Sequence, residues 1–214
     1  MLTIRLLGPP AIERDGLAVR SPRGRKSWAL LCYLLLADRP PSRRHLAELL
    51  FADADDPLGA LRWSLAELRR ALGAEAVIGG DPVTLRLDGD VTVDLAVVTS
   101  DSGDPAPLLD LTGELLGGMP PAASPAFESW LLVERHRVAA TIDARLRQAA
   151  VVLLATGRAD DAIAYATRVV TRNPLEEGNH ELLVRCLAMA GNRTAALRQI
   201  AVGEDVLRLS LIHI

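Results

Sequence analysis

The residues best suited to chemistry lie in one stretch, "PLGALRWSLAELRRAL", from Pro57 to Leu72. It carries Arg62, Arg69 and Arg70, one tryptophan, Trp63, and a single acid, Glu67. A guanidinium offers a planar fork of donors that matches phosphate oxygens and the acceptor edge of guanine. The leucines at 61, 65, 68 and 72 are spaced four, three, four. At about 100° per residue they form one apolar stripe. Arg62 and Arg69 then stack about 90° from it. Gly59 and Ala66 come next, Arg70 and Trp63 lie nearly opposite the leucines, and Glu67 sits on the other flank. A plain surface helix mixes acids with bases three or four residues apart. Here the outward face is basic, and the one acid has Arg70 as its pairing option.

Other chemistries find little support. No glycine-rich loop ends in Lys-Ser or Lys-Thr, so no nucleotide site is expected. His45, His136, His180 and His213 are scattered, without ligand spacing, so no metal or other cofactor is expected. On a helix, Glu134-Arg135-His136-Arg137 point four ways, as a solvated surface does. "DADDP", Asp53 to Pro57, reads as a turn and helix cap that needs no ion. Cys32 and Cys186 lie far apart in apolar runs, which suits buried free thiols in a reducing cytoplasm. Nothing supports an enzyme.

Composition sets the frame. The 214 residues are 50% hydrophobic and 3% aromatic, so the core is built of Leu, Val and Ala, which favours helices. Residues 1–91 hold 13 Lys+Arg against 12 Asp+Glu, and residues 92–214 hold 11 against 15. The halves thus differ only weakly in the direction that an anionic partner for the first would require. The N-terminus lacks a signal-peptide pattern, and the longest apolar run, Trp28–Ala37, is too short to span a bilayer, so no membrane partner is expected.

The elements that position the arginines follow from local signals. Leu2–Leu7, Ala11–Arg14 and Leu17–Val19 read as a small antiparallel sheet. Lys26–Ala37 reads as a core helix stopped by Pro40-Pro41. Ser42 caps a second helix that begins with Arg43 and Arg44. Asp56 and Pro57 open the third helix and Gly73 closes it. Val77-Ile78 and Val83–Leu87 form a hairpin through Gly79-Gly80, with Arg86 as its cation. Sheet, three helices and a hairpin make a winged helix-turn-helix whose third helix is suited to a DNA major groove.

Residues 92–126 read as irregular, with short helices at Val93–Val98 and Ala106–Leu111 and a linker, "TSDSGDPAP". From Pro125 a helix of about 30 residues begins. "GRADDAIAYA" and "GNRTAALRQI" then start 34 residues apart, at Gly157 and Gly191, with Ala162 and Ala196 equivalent. That is the period of tetratricopeptide-like helical hairpins. The fold expected is mainly α with small β-sheets: an N-terminal winged helix-turn-helix, then an all-α helical repeat domain.

These stretches resemble a family. "LLGPPAIERDG", "RGRKSWALLCYLLLADRPPSRRHLAELLF" and "GALRWSLAELRRALG" are similar to the OmpR-type winged helix of the actinobacterial antibiotic regulatory proteins, the SARP family. "VDLAVV", "LTGELLGGMPPAASPAFESWLLVERHRV" and the repeats resemble its partner, the bacterial transcriptional activator domain. The most specific pieces are Phe127–Arg135 and Leu68–Leu72. The resemblance implies a cytoplasmic, nucleoid-associated transcriptional regulator that binds direct repeats in double-stranded promoter DNA and recruits RNA polymerase or another transcription protein; a homodimer on DNA is compatible with it. It implies a winged-helix domain over residues 1–91, an activator domain over 92–209 and an atypical tail, 210–214.

On this reading Arg62, Trp63 and Ala66 face base edges. Arg69 and Arg70 serve the phosphates, Arg43 and Arg44 are further DNA-binding candidates, and Gly79, Gly80 and Arg86 belong to a supporting wing. Trp130 and Leu131, one turn after Phe127, are the candidate partner contacts, with a core role for the Phe127–Trp130 pair as the alternative. The other class of function that stays open is a protein–protein adaptor whose winged helix does not bind DNA.

Overall fold

The computed structural model describes residues 1–99, 104–120 and 124–212. Strands β1 (Leu2–Arg5), β2 (Ala11–Arg14) and β3 (Leu17–Ala18) form the expected antiparallel ladder. A fourth strand, β6 (Val91–Val93), joins it in parallel on β1, Ile4 facing Val93. The sheet order is β3-β2-β1-β6. Three residues are too few for a periodicity to show, and the strand corrects the irregular reading of this segment. The side chain of Asp94 then accepts from the N–H groups of Leu6 and Leu7 at 2.8 and 2.7 Å, locking the end of β1 to helix α4 (Asp94–Thr99).

Helices α1 (Arg25–Leu36), α2 (Arg43–Phe51) and α3 (Pro57–Leu72) pack on one another. The first five residues of the run Trp28–Ala37 are buried, which makes α1 the core helix. Ser42 caps α2 by accepting from the His45 N–H at 3.1 Å. Strands β4 (Ala76–Gly79) and β5 (Thr84–Leu87) form the hairpin after α3, with a cis Asp81–Pro82 bond in its turn. Arg14 reaches back to Glu75 and to the Leu72 carbonyl, tying sheet to α3.

The described residues fall into two compact units. The first comprises residues 1–100 and 111–138, and the second 101–110 and 139–214. Helix α5 (Pro125–Ala155) has its first 14 residues in one and the rest in the other. In the first unit Phe127 is wholly buried, and Arg135 donates to the Leu115 and Leu116 carbonyls at 2.8 and 3.3 Å. Phe127 and Arg135, two residues of the fingerprint "FESWLLVER", are thus a core plug and a loop clamp.

In the second unit, α6 (Ala159–Arg172), α7 (Glu177–Met189) and α8 (Arg193–Ile212) pack in sequence as helical hairpins. Gly157 and Gly191 turn their chains at positive φ, 75° and 79°, where glycine is favoured. Ala162 and Ala196, five residues after each glycine, are both buried. The turn before α7 is held by Asn179 and His180, which reach the Asn173 and Pro174 carbonyls at 2.9 and 2.7 Å. Residues 100–103 of the expected linker and His213 and Ile214 of the expected tail lie outside the described residues.

Candidate nucleic-acid interface

Helix α3 is fixed at both ends as its sequence dictates. The Asp56 carboxylate accepts from the Gly59 N–H at 2.8 Å, Pro57 fills the first helical position, and Gly73 leaves the helix at φ 73°. A Cβ on Gly59 would lie 2.1 Å from the Asp56 carboxylate, closer than van der Waals contact, so the capping side chain would have to shift. The leucines at 61, 65, 68 and 72 are all buried. Burial of each such side chain contributes about 1.5–3 kcal/mol, so the stripe holds the opposite face outward. Arg62, Trp63, Ala66, Arg69 and Arg70 are all exposed.

The structure separates these five by their neighbours. On one flank Arg69 donates from Nε to the Ile78 carbonyl at 2.8 Å, so it lies along the hairpin. Arg43 holds the same hairpin from the far side. Its Nε donates to the Gly80 carbonyl at 2.9 Å and its backbone N–H to the Asp81 carboxylate at 3.0 Å. The Val83 N–H adds a bond to the Pro41 carbonyl at 2.7 Å. Gly79, the last residue of β4, and Gly80 in the turn are thus fastened to α3 and α2. A Cβ on Gly79 would stand 3.3 Å from the Arg69 guanidinium, and Gly80 is at φ 88°. Sequence spacing gives no sign of this clamp, because Arg43 and Gly80 are 37 positions apart.

On the other flank Glu67 pairs with Arg70 and also accepts from the Arg23 backbone N–H at 2.9 Å. Its side chain is only 12% exposed. The Arg70 guanidinium, and then the Arg23 N–H, hold the Glu67 carboxyl below its ordinary range. Trp63 does not meet the hairpin. Its ring edge lies beside Gly24, leaving the side chain 50% exposed at the rim of a shallow groove of about 500 Å³. Phe51, Ala60 and Lys26 also line that groove, with the Lys26 ammonium 5.5 Å from the Phe51 ring centre.

Between the flanks lie Arg62 and Ala66. Arg62 makes a long pair with Asp56 at 3.4 Å; both side chains are two-thirds exposed. Arg44 pairs with Glu48 at 2.8 Å, and Arg86 with Asp88 at 3.8 Å, both on open surface. Exposed pairs of this kind contribute only about 0–1 kcal/mol, so a phosphate exchanges for the carboxylate at small cost.

The candidate partner contacts sit elsewhere. Leu131 is 5% exposed and Phe127 fully buried. Trp130 is half-buried, its ring centre 4.7 Å from that of Tyr33 and 5.4 Å from that of Phe127. Tyr33 in turn hydrogen-bonds His45 on α2 at 2.9 Å. Burial pushes the Cys32 and Cys186 thiols up, which leaves them poor nucleophiles. Among the described residues no cluster of His, Cys, Asp or Glu has metal-site geometry, and no helix is long and apolar enough to cross a membrane.

Two comparisons bear on this geometry. Residues 108–211 match the family model of the bacterial transcriptional activator domain. The fold as a whole is similar to that of Mycobacterium tuberculosis EmbR, solved in complex with a low-affinity phosphopeptide, at a TM-score of 0.62 and 18% identity. The likeness covers 96% of this chain and 59% of that one, so the chain spans about three-fifths of that protein's length. No curated protein matches the sequence.

Proposed function

We propose, with the bacterial transcriptional activator domain of residues 108–211 as the premise, that this chain is a sequence-specific DNA-binding regulator, and an activator. The domain and the fold likeness support a transcriptional regulator of the SARP type. The observation that carries the finer reading is the open face of Arg62 and Ala66 on α3, held outward by the leucine stripe. Arg62 and Ala66 are small or extended enough to meet base edges, and Arg62 supplies a bidentate fork for guanine. Arg44, Arg69 and Arg86 supply the flanking phosphate charge. The hairpin supports this surface without reading sequence. The helical hairpins engage a protein of the transcription machinery, and the chain works in the cytoplasm on promoter DNA.

The test is selection of duplexes by the full chain from a random-sequence pool, followed by a salt titration of the winner. A recurrent repeated motif whose affinity falls steeply with salt is the expected outcome. Enrichment of nothing above background, with the chain folded, sinks the reading and leaves the adaptor class.

A further inference from the structure

We infer that the Glu67 carboxylate is a built-in competitor for DNA phosphate, holding the anion position on one flank of α3. The inference rests on the DNA-binding reading above. Two features carry it: the carboxylate takes both an Arg70 guanidinium and the Arg23 backbone N–H, and its side chain is only 12% exposed while doing so. A guanidinium beside a main-chain N–H is the donor set that phosphate oxygens use on nucleic-acid-binding proteins. Here an internal oxyanion fills it. Arg70 therefore arrives at DNA with its charge already matched, whereas Arg69, one residue earlier, is bonded to a neutral carbonyl and keeps its charge. Because Glu67 is tethered by Arg23, it does not simply swing aside when a phosphate approaches. Two anions would then share one cation, and binding bears that repulsion. The effect falls on every sequence alike, so it lowers affinity for selected and random duplexes together and leaves their ratio unchanged. Glu67 is in this sense a residue that sets overall affinity and salt dependence without touching a base.

The experiment measures the affinity of the full chain for its selected duplex and for a random one, in wild type, Glu67→Gln, Arg70→Ala and the double variant, across a salt series. Glu67→Gln keeps the shape and an acceptor for the Arg23 N–H while removing the charge. Expected are a gain of about two- to fivefold on both duplexes at low salt and a salt slope steeper by about one. Arg70→Ala should cost little in wild type and several-fold more in the Glu67→Gln background, a difference that a purely structural role would not produce. Equal or weaker binding by Glu67→Gln, or an Arg70→Ala loss that is the same in both backgrounds, overturns the inference. Thermal melts check the fold. If Glu67→Gln does not fold, a large loss from Arg70→Ala in wild type overturns it by itself. Wild-type binding with no gain removes this inference alone; a folded wild type that binds no duplex removes the DNA reading as well.

Discussion

The two flanks of α3 use neighbouring arginines in opposite ways. Arg69 on the hairpin side bonds a carbonyl, and Arg70 on the loop side bonds a carboxylate. Both are cations in the same "LRRAL", yet one projects its charge and the other has it cancelled in place. The lesson is that the field at a binding surface depends on what each guanidinium is already holding, which no count of arginines reveals. It also follows that the hairpin flank is mechanical as well as electrostatic. Arg43 and Arg69 grip it from two helices.

The comparison breaks first at Arg69. Arg69→Ala should lower stability by about 1–3 kcal/mol, because a carbonyl bonded to a charged donor loses its partner. Hydrogen exchange across residues 76–87 should rise, while Arg70→Ala leaves it unchanged; equal effects at the two positions would erase the distinction. Next comes the cap that both flanks depend on. Asp56→Ala should cost about 1 kcal/mol in denaturant melts, and Gly59→Ala should also destabilise, against its usual helix preference, since its Cβ meets the Asp56 carboxylate. A stabilised Gly59→Ala variant would show that the cap is not formed. The smallest effect concerns acid. The Glu67 carboxyl titrates below its unfolded value, so its contribution is present above the ordinary value of 4.5 and is lost as pH falls through the lower, folded one. Wild type should lose stability there faster than Glu67→Gln, and parallel melting curves for the two would remove the Glu67–Arg70 pair from the account.

What was legible in the sequence is what local rules govern. Ser42, Asp56, Pro57 and Gly73 mark the helix ends because capping acts within three residues. The leucine stripe marks the buried face because a helix has one period. The Glu67–Arg70 pair was visible as a three-residue spacing. The Arg23 link to Glu67, the Arg43 clamp on the hairpin and the parallel pairing of Val91–Val93 were not, since each joins residues more than 35 positions apart through the fold. Leu131 shows the limit from the other side. Its one-turn spacing from Phe127 fits core and contact equally, and only its burial separates them.

The matched activator domain starts at residue 108, whereas residues 111–138 fold with the winged helix. Ser124 donates to the Leu49 carbonyl at 2.5 Å, and Leu7 bridges to Leu115. The unit recognised across genomes and the unit that packs are therefore different lengths of chain. A chimaera joined at residue 108 would inherit a winged helix stripped of Phe127 and the Arg135 clamp, and would expose apolar surface to aggregation. A graft joined after residue 138 would keep Phe127 and Arg135 with the winged helix, yet would carry off residues 101–110, which pack with the second unit. The family match thus begins thirty residues before the first unit ends, and because residues 101–110 pack with the second unit, no single cut in the chain parts the two interiors.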